Sequence, residues 1–129
     1  MIVDSSVLVA VLLGEPDAAG WLEAMAAADS LSVAAPTALE SAIVLGPRRH
    51  SALDALLDAA AVEVVAFDAE HARVARDAYA RYGKGSDSPA RLNLGDCFSY
   101  ALAQVSGEPL LFKGDDFNHT DVTAARPAS

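Results

Sequence analysis

Apolar positions in this chain come in short runs, each closed by a polar stop. Ile2-Val3 ends on Asp4-Ser5-Ser6, a short strand followed by a carboxylate and two hydroxyls able to cap what comes next. Val7 to Leu13 is continuously apolar and reads as a buried helix. It is broken by Gly14-Glu15-Pro16-Asp17, with Pro near a first turn and acids at the positive end of a helix dipole. The next helix is expected over roughly residues 17–28, with Trp21, Leu22 and Met25 on or near one face. Leu31-Ser32-Val33-Ala34 alternates as a second strand. Pro36-Thr37 opens a helix through Leu45, which Gly46-Pro47 ends or kinks. Arg48-Arg49-His50 form a small basic cluster, and Ser51 is the expected cap of a helix through Leu57.

Val62 to Phe67 reads as a third strand, and Asp68 caps a long helix from Ala69 to about Tyr82. Arg73, Arg76, Asp77 and Arg81 decorate the outside of that helix. Gly83 to Ala90 is a polar loop rich in breakers, of the kind that is functional or mobile. It lacks the spacing of a phosphate-binding P-loop. A last helix has Asp96 in its first turn and continues through Phe98 to Gln104; Leu110-Leu111-Phe112 is the final core strand. Asp121-Val122 could add a short edge strand, and the tail from Ala124 to Ser129 reads as loose. The order β-α-α-β-α-α-β-α-α-β is that of an α/β protein with a mostly parallel sheet.

Composition narrows this picture. A chain of 129 residues, 53% of them apolar, makes one domain with a real core, residues 1–129. No apolar run is long enough to span a membrane, and the basic region of a signal peptide is absent at the N-terminus. The single cysteine, Cys97, excludes an intrachain disulfide; it reads as a small buried residue, and a cytoplasmic location is expected. The net charge of −9 argues against a generic nucleic-acid-binding domain. It does not argue against a nuclease whose carboxylates hold cations, because bound metal inverts the local charge.

The acids are placed unusually. Glu40 is the only charged residue between Asp29 and Arg48, and Asp96 is the only one from Leu92 to Gly107. Asp4 follows the first strand, and Asp115-Asp116 follow the last. In a parallel α/β sheet the strand ends and the starts of the following helices lie on one edge, where ligands bind. Carboxylates gathered there repel one another, and a divalent cation resolves the repulsion. Oxygen-only ligands point to Mg²⁺ or Mn²⁺, and sites of this type hydrolyse phosphodiesters.

At Val3-Asp4-Ser5-Ser6, Ala38-Leu39-Glu40-Ser41-Ala42, the run Leu92 to Ala103 and the run Leu110 to Val122, the chain resembles the PIN-domain ribonucleases, specifically the VapC toxins of type II toxin–antitoxin pairs. The resemblance covers nearly the whole chain. It implies a PIN-like three-layer α/β/α sandwich around a mostly parallel sheet of four to five strands. It further implies Mg²⁺-dependent endoribonuclease activity, with Mn²⁺ able to substitute, directed at tRNA or rRNA and inhibiting translation and growth. A homodimer is implied, forming a heterotetramer or larger assembly with a VapB-type antitoxin, and meeting DNA only through that antitoxin. By position Asp4, Glu40, Asp96 and Asp115 are the catalytic acids, and Asp4, Asp96, Asp115 and Asp116 the metal ligands; Asp115 is favoured as the fourth acid, with Asp116 the alternative. Two departures stand out: Ser5 where the family usually has threonine, and Gly46-Pro47 within a usually continuous helix. An antitoxin segment is expected to carry an Arg or Lys towards Asp4 and Asp96, with Trp21, Leu22 and Met25 as apolar contacts.

Two other α/β readings compete. A response-regulator receiver also has an acidic cluster and a lysine after its last strand, a part Lys113 could play, but it wants an acid pair where Asp4 stands alone. A haloacid-dehalogenase-type phosphatase wants Asp-x-Asp where the chain has Asp4-Ser5-Ser6.

Overall fold

A computed structural model describes residues 1–125. Strands β1 (Ile2–Val3), β2 (Leu31–Ala34), β3 (Val62–Val65) and β4 (Leu110–Leu111) form one sheet in the order β3-β2-β1-β4, and every pairing is parallel. Helices α1 (Ser5–Leu12), α2 (Ala18–Ala27), α3 (Ala35–Leu45), α4 (His50–Ala59), α5 (Ala69–Tyr82) and α6 (Leu94–Ser106) connect them, with 3-10 turns at Pro47–Arg49 and Asp116–His119.

Alternation along the strands divides the core in two. Ile2 and Leu110 point to a cluster with Ala75, Leu92, Tyr100, Leu102 and Phe117, under α5 and α6. Val3, Leu111, Leu31 and Val33 point to the opposite cluster, with Leu8, Met25, Leu53 and Leu57 from α1, α2 and α4. Both faces are covered, which is why β1 and β4 are apolar at every position. The result is the expected three-layer α/β/α sandwich. Helix α3 leaves the carboxyl end of β2 and packs on both α1 and α6, so it lies over the edge where the strands end. Among the described residues no helix is long and apolar enough to cross a membrane.

Several boundaries differ from those read in the sequence. The third strand stops at Val65 and the fourth at Leu111, short of Phe67 and Phe112. Ser51 is not a cap: α4 begins one residue earlier, at His50, whose ring nitrogen meets the Ala42 carbonyl at 3.0 Å. That contact bridges the break after α3, where Gly46 adopts φ +84°, a value open to glycine at little cost. Helix α6 does carry Asp96 in its first turn as expected, and Asn93 is its cap, forming a reciprocal capping box with Asp96.

The loop after α5 is held rather than loose. Lys84 N–H donates to the Leu92 carbonyl at 3.0 Å, Leu92 N–H to the Tyr82 carbonyl at 2.8 Å, and the Ser86 hydroxyl to the Gly83 carbonyl at 2.7 Å. Ala90 and Leu92 are fully buried beneath it.

Edge pairing falls at Ala124, not at Asp121-Val122. Asp121 is engaged elsewhere, accepting the Tyr100 hydroxyl at 2.5 Å and facing Arg81 at 3.8 Å. Pairing on Leu110 therefore begins at the Thr123 carbonyl. The expected loose tail lies outside the described residues from position 126 onward, and Ala124 itself is paired.

Candidate active site

Asp4 is the last residue of the β1–β4 ladder, donating its N–H to the Leu111 carbonyl at 3.0 Å, and it is also the N-cap of α1. Its side chain is only 3% exposed, so burial would be costly without hydrogen-bond donors. Three are supplied. Oδ2 accepts from Ser6 N–H at 3.1 Å and from Ser6 Oγ at 2.7 Å; Oδ1 accepts from Ser99 Oγ at 2.5 Å. Ser6 Oγ in turn accepts from Lys113 N–H at 2.9 Å, which ties the end of β4 to the end of β1. The Ser99 hydroxyl is fully buried and lies 3.5 Å from that of Thr37 on α3.

Glu40 reaches the same edge from α3. Burial pushes its carboxyl above the ordinary range; the Ser5 hydroxyl offsets part of this, and the charge of Asp4 adds to it. Its Oε1 is buried without a hydrogen-bond partner. Glu40 lies against the first turn of α6, where Gly95 makes room: a Cβ at Gly95 would stand 1.7 Å from Oε2.

Asp96 follows Gly95. It accepts Asn93 N–H at 3.0 Å through Oδ2. Its carboxyl is pushed up from 3.8 to about 6, first by burial, with the Asn93 N–H opposing, and then by the charges of Asp4, Asp116 and Glu40. Among the described residues no cationic side chain acts on either Glu40 or Asp96. Asp4, Glu40, Asp96 and Asp116 thus share one electrostatic neighbourhood.

Asp115 stands apart from it. Its carboxylate is exposed and accepts from Asn118 Nδ2 at 3.0 Å and meets His119 Nε2 at 2.7 Å, contacts that hold it below the ordinary range. Lys113 does not serve as a receiver-type lysine, because its ammonium is paired with Glu15 and, at 3.1 Å, with Asp17. Cys97 is buried, and burial followed by the Asp96 charge pushes its thiol up to about 11, so it stays protonated.

The donor set is oxygen only, Glu40 carries an unpartnered buried oxygen, and like charges crowd Asp96. All three features fit a hard divalent cation. Among the described residues no three His, Cys, Asp or Glu side chains form a ready-made cage for one ion.

Ser99 and Gly95 were not singled out from the sequence. The available signals were local: Ser99 is a hydroxyl one turn after Asp96 in an otherwise apolar helix, and Gly95 is a helix-weakening residue inside a first turn.

Residues 1–122 match the PIN domain family. Ribonuclease VapC42 of Mycobacterium tuberculosis is 49% identical over 132 residues, covering 99% of this chain and 98% of that protein. Ribonuclease VapC28 of the same organism is 48% identical, covering 97% of each. Among solved structures, M. tuberculosis VapC20, described as a sarcin-ricin loop cleaving toxin, superposes with a TM-score of 0.78 at 18% identity, covering 98% of both chains. A toxin–antitoxin complex from Klebsiella pneumoniae superposes with a TM-score of 0.72 at 18% identity, covering 98% of this chain and 97% of that one. At that identity the structural likeness speaks to the fold alone.

Asp96→Asn keeps the carbonyl oxygen that accepts Asn93 N–H and removes the charge. The folded carboxyl titrates near 6 and the unfolded one near 4, so in this window the folded state holds a proton that the unfolded state has released. Stability therefore falls as pH rises through the window, and the full cost stands above it. Metal-free Asp96→Asn is expected to be more stable than wild type by roughly 1–3 kcal/mol at pH 7.5, with the gain vanishing below about pH 4. Thermal unfolding against pH in chelator measures this; equal stability at pH 7.5 refutes it.

Gly95→Ala separates site from scaffold. The clash is with the end of the Glu40 side chain, and Ala is the better helix former by up to about 1 kcal/mol, so the fold is retained. The Glu40 carboxyl should be displaced and its titration should move down towards the ordinary range, as followed by carboxyl ¹³C chemical shifts. An unmoved Glu40 titration would show that Gly95 does not set its place.

Proposed function

The chain belongs to the PIN-domain family, and within it to the VapC ribonuclease toxins of toxin–antitoxin systems, and on that premise we propose that Asp4, Glu40, Asp96 and Asp116 bind Mg²⁺, or Mn²⁺ in its place, to hydrolyse RNA. The observation that carries this reading is Asp96: a desolvated carboxyl beside three other acids, with no cationic side chain among the described residues acting on it. When bound, a divalent ion supplies an acidified water as nucleophile and offsets charge on the leaving oxygen.

The chain's own groups divide the remaining work. Asp4, clamped by Ser6 and Ser99, and Asp96, fixed by the α6 capping box, are the direct ligands. Glu40 offers its unpartnered Oε1 to hold a proton or a coordinated water. Asp116 is favoured over Asp115 as the fourth acid, because it acts on Asp96 while Asp115 is occupied by Asn118 and His119.

The substrates are structured RNAs of the tRNA or rRNA class. An acidic chain at net charge −9 gains its hold on RNA through the metals and leaves DNA contact to its partner. That partner is a VapB-type antitoxin with a basic segment directed at Asp4 and Asp96. Of the apolar contacts expected for it, Leu22 is 42% exposed, whereas Met25 at 3% belongs to the core. Homodimerisation is supported by an apolar strip on α3 and at the start of α6, where Leu39, Ile43, Val44 and Leu94 are 61–70% exposed.

Purified protein should cleave structured RNA with Mg²⁺ or Mn²⁺ and stop in excess EDTA; cleavage that continues in chelator excludes the metal mechanism. Asp116→Asn should lower the rate at least about 100-fold and Asp115→Asn by less than about 10-fold, magnitudes in the range for losing a group that holds transition-state charge. The reverse order would return the fourth acid to Asp115. Ile43→Asp should convert a dimer to a monomer in light scattering coupled to size exclusion, and an unchanged mass would place the interface elsewhere.

A further inference from the structure

Resting on the metal reading above, we propose that Ser99 is a positioning residue that sets the separation of the two direct ligands, Asp4 and Asp96, and thereby the affinity of the site for its cation.

Ser99 lies on α6 three residues after Asp96, hence on the same side of that helix one turn along. Its hydroxyl is fully buried and donates to Asp4 Oδ1 at 2.5 Å. Asp4 lies between β1 and α1 as the cap of the latter, whereas Asp96 belongs to α6. No other side-chain hydrogen bond among the described residues joins Asp4 to α6, so this contact fixes one ligand relative to the helix that carries the other.

The direction of the bond is determined. A carboxylate can only accept, so the Ser99 proton points at Asp4. The Thr37 hydroxyl at 3.5 Å from Ser99 Oγ is too far for more than a weak contact, and it makes no hydrogen bond to Asp4. On the other oxygen, Ser6 is bound in the same sense, receiving from Lys113 N–H and giving to Oδ2. Two hydroxyls from two different elements therefore hold the carboxylate in a single rotamer before any cation arrives. Ser6 is local to Asp4 and cannot set its distance from Asp96; Ser99 can. Hydrogen bonds that orient metal ligands from behind are worth 10–100-fold in metal affinity in comparable sites.

The test is Mn²⁺ binding to the full chain without RNA, read by the electron paramagnetic resonance of free Mn²⁺, with Mg²⁺ activation of cleavage as the second readout. Ser99→Ala should weaken Mn²⁺ binding by about 10-fold or more and raise the Mg²⁺ needed for half-maximal cleavage, with activity recovered at high Mg²⁺. Ser99→Thr, which keeps the hydroxyl, should bind like wild type, and so should Thr37→Val. Should Ser99→Ala fail to fold, Ser99→Cys, of similar shape but a much weaker donor, takes its place with the same expectation. Binding by Ser99→Ala within two-fold of wild type overturns the proposal, as does equal weakening by Ala and Thr, which would place the effect in packing. A wild type that binds no Mn²⁺ removes the metal reading itself, an outcome distinct from either.

Discussion

A carboxylate taken out of water must be given donors or a cation, and the arrangement of this protein follows from how Asp4 meets that demand. Its three donors come from Ser6 and Ser99, and Ser6 is itself held by the backbone of Lys113. Satisfying one side chain therefore ties together the end of β1, the start of α1, the exit of β4 and the first half of α6. Of those segments, α6 carries Asp96, and the chain leaving β4 runs on to Asp116. The short strands gain from this. Two-residue β1 and β4 have few ladder bonds of their own, and their register is set as much by what lies at their carboxyl ends as by the core on both faces.

The stability cost is concentrated at Asp96. Holding it ionised at neutral pH, against burial and three neighbouring charges, costs on the order of 3 kcal/mol without a cation. A domain has only about 5–15 kcal/mol in hand, so the cost is a large fraction of the whole. The remaining structure is consistent with a scaffold that tolerates it: two apolar clusters flank the sheet, and α6 is anchored by Tyr100, Ala101 and Leu102 below the site. Strain of this sort is expected where binding a cation converts the penalty into affinity.

The fold was legible because apolar runs and polar stops alternate cleanly, and because both-face burial leaves β1 and β4 without polar positions. What the pattern could not show was where backbone pairing ends when side chains compete for it. Asp121 is taken by Tyr100 and Arg81, which moves edge pairing to Ala124. At the site, isolation among apolar neighbours pointed to Asp4, Glu40 and Asp96. The adjacent pair Asp115-Asp116 could not be separated in one dimension. The difference lies in partners three and four residues on, Asn118 and His119, which engage Asp115 once the 3-10 turn forms. Ser99 and Gly95 escaped notice because a small residue in an apolar helix has no signature until the element facing it is known.

Charge placement explains why the acids stay unbalanced among the described residues. No Lys or Arg precedes position 48, so the stretch holding Asp4 and Glu40 has no basic residue of its own. The one lysine that emerges at the carboxyl edge of the sheet, Lys113, is engaged by Glu15 and Asp17 at the turn between α1 and α2. Those two acids hold its ammonium charged and occupied, with its ordinary titration shifted further up. Had Lys113 been free to turn towards Asp4, it would have neutralised the group internally, and a divalent ion would have had to displace it. Pairing it with Glu15 and Asp17 keeps it from that part. On the function proposed above, a metal ion and the guanidinium of a basic partner would compete for these acids, and the partner would prevail only with enough apolar contact to hold it there.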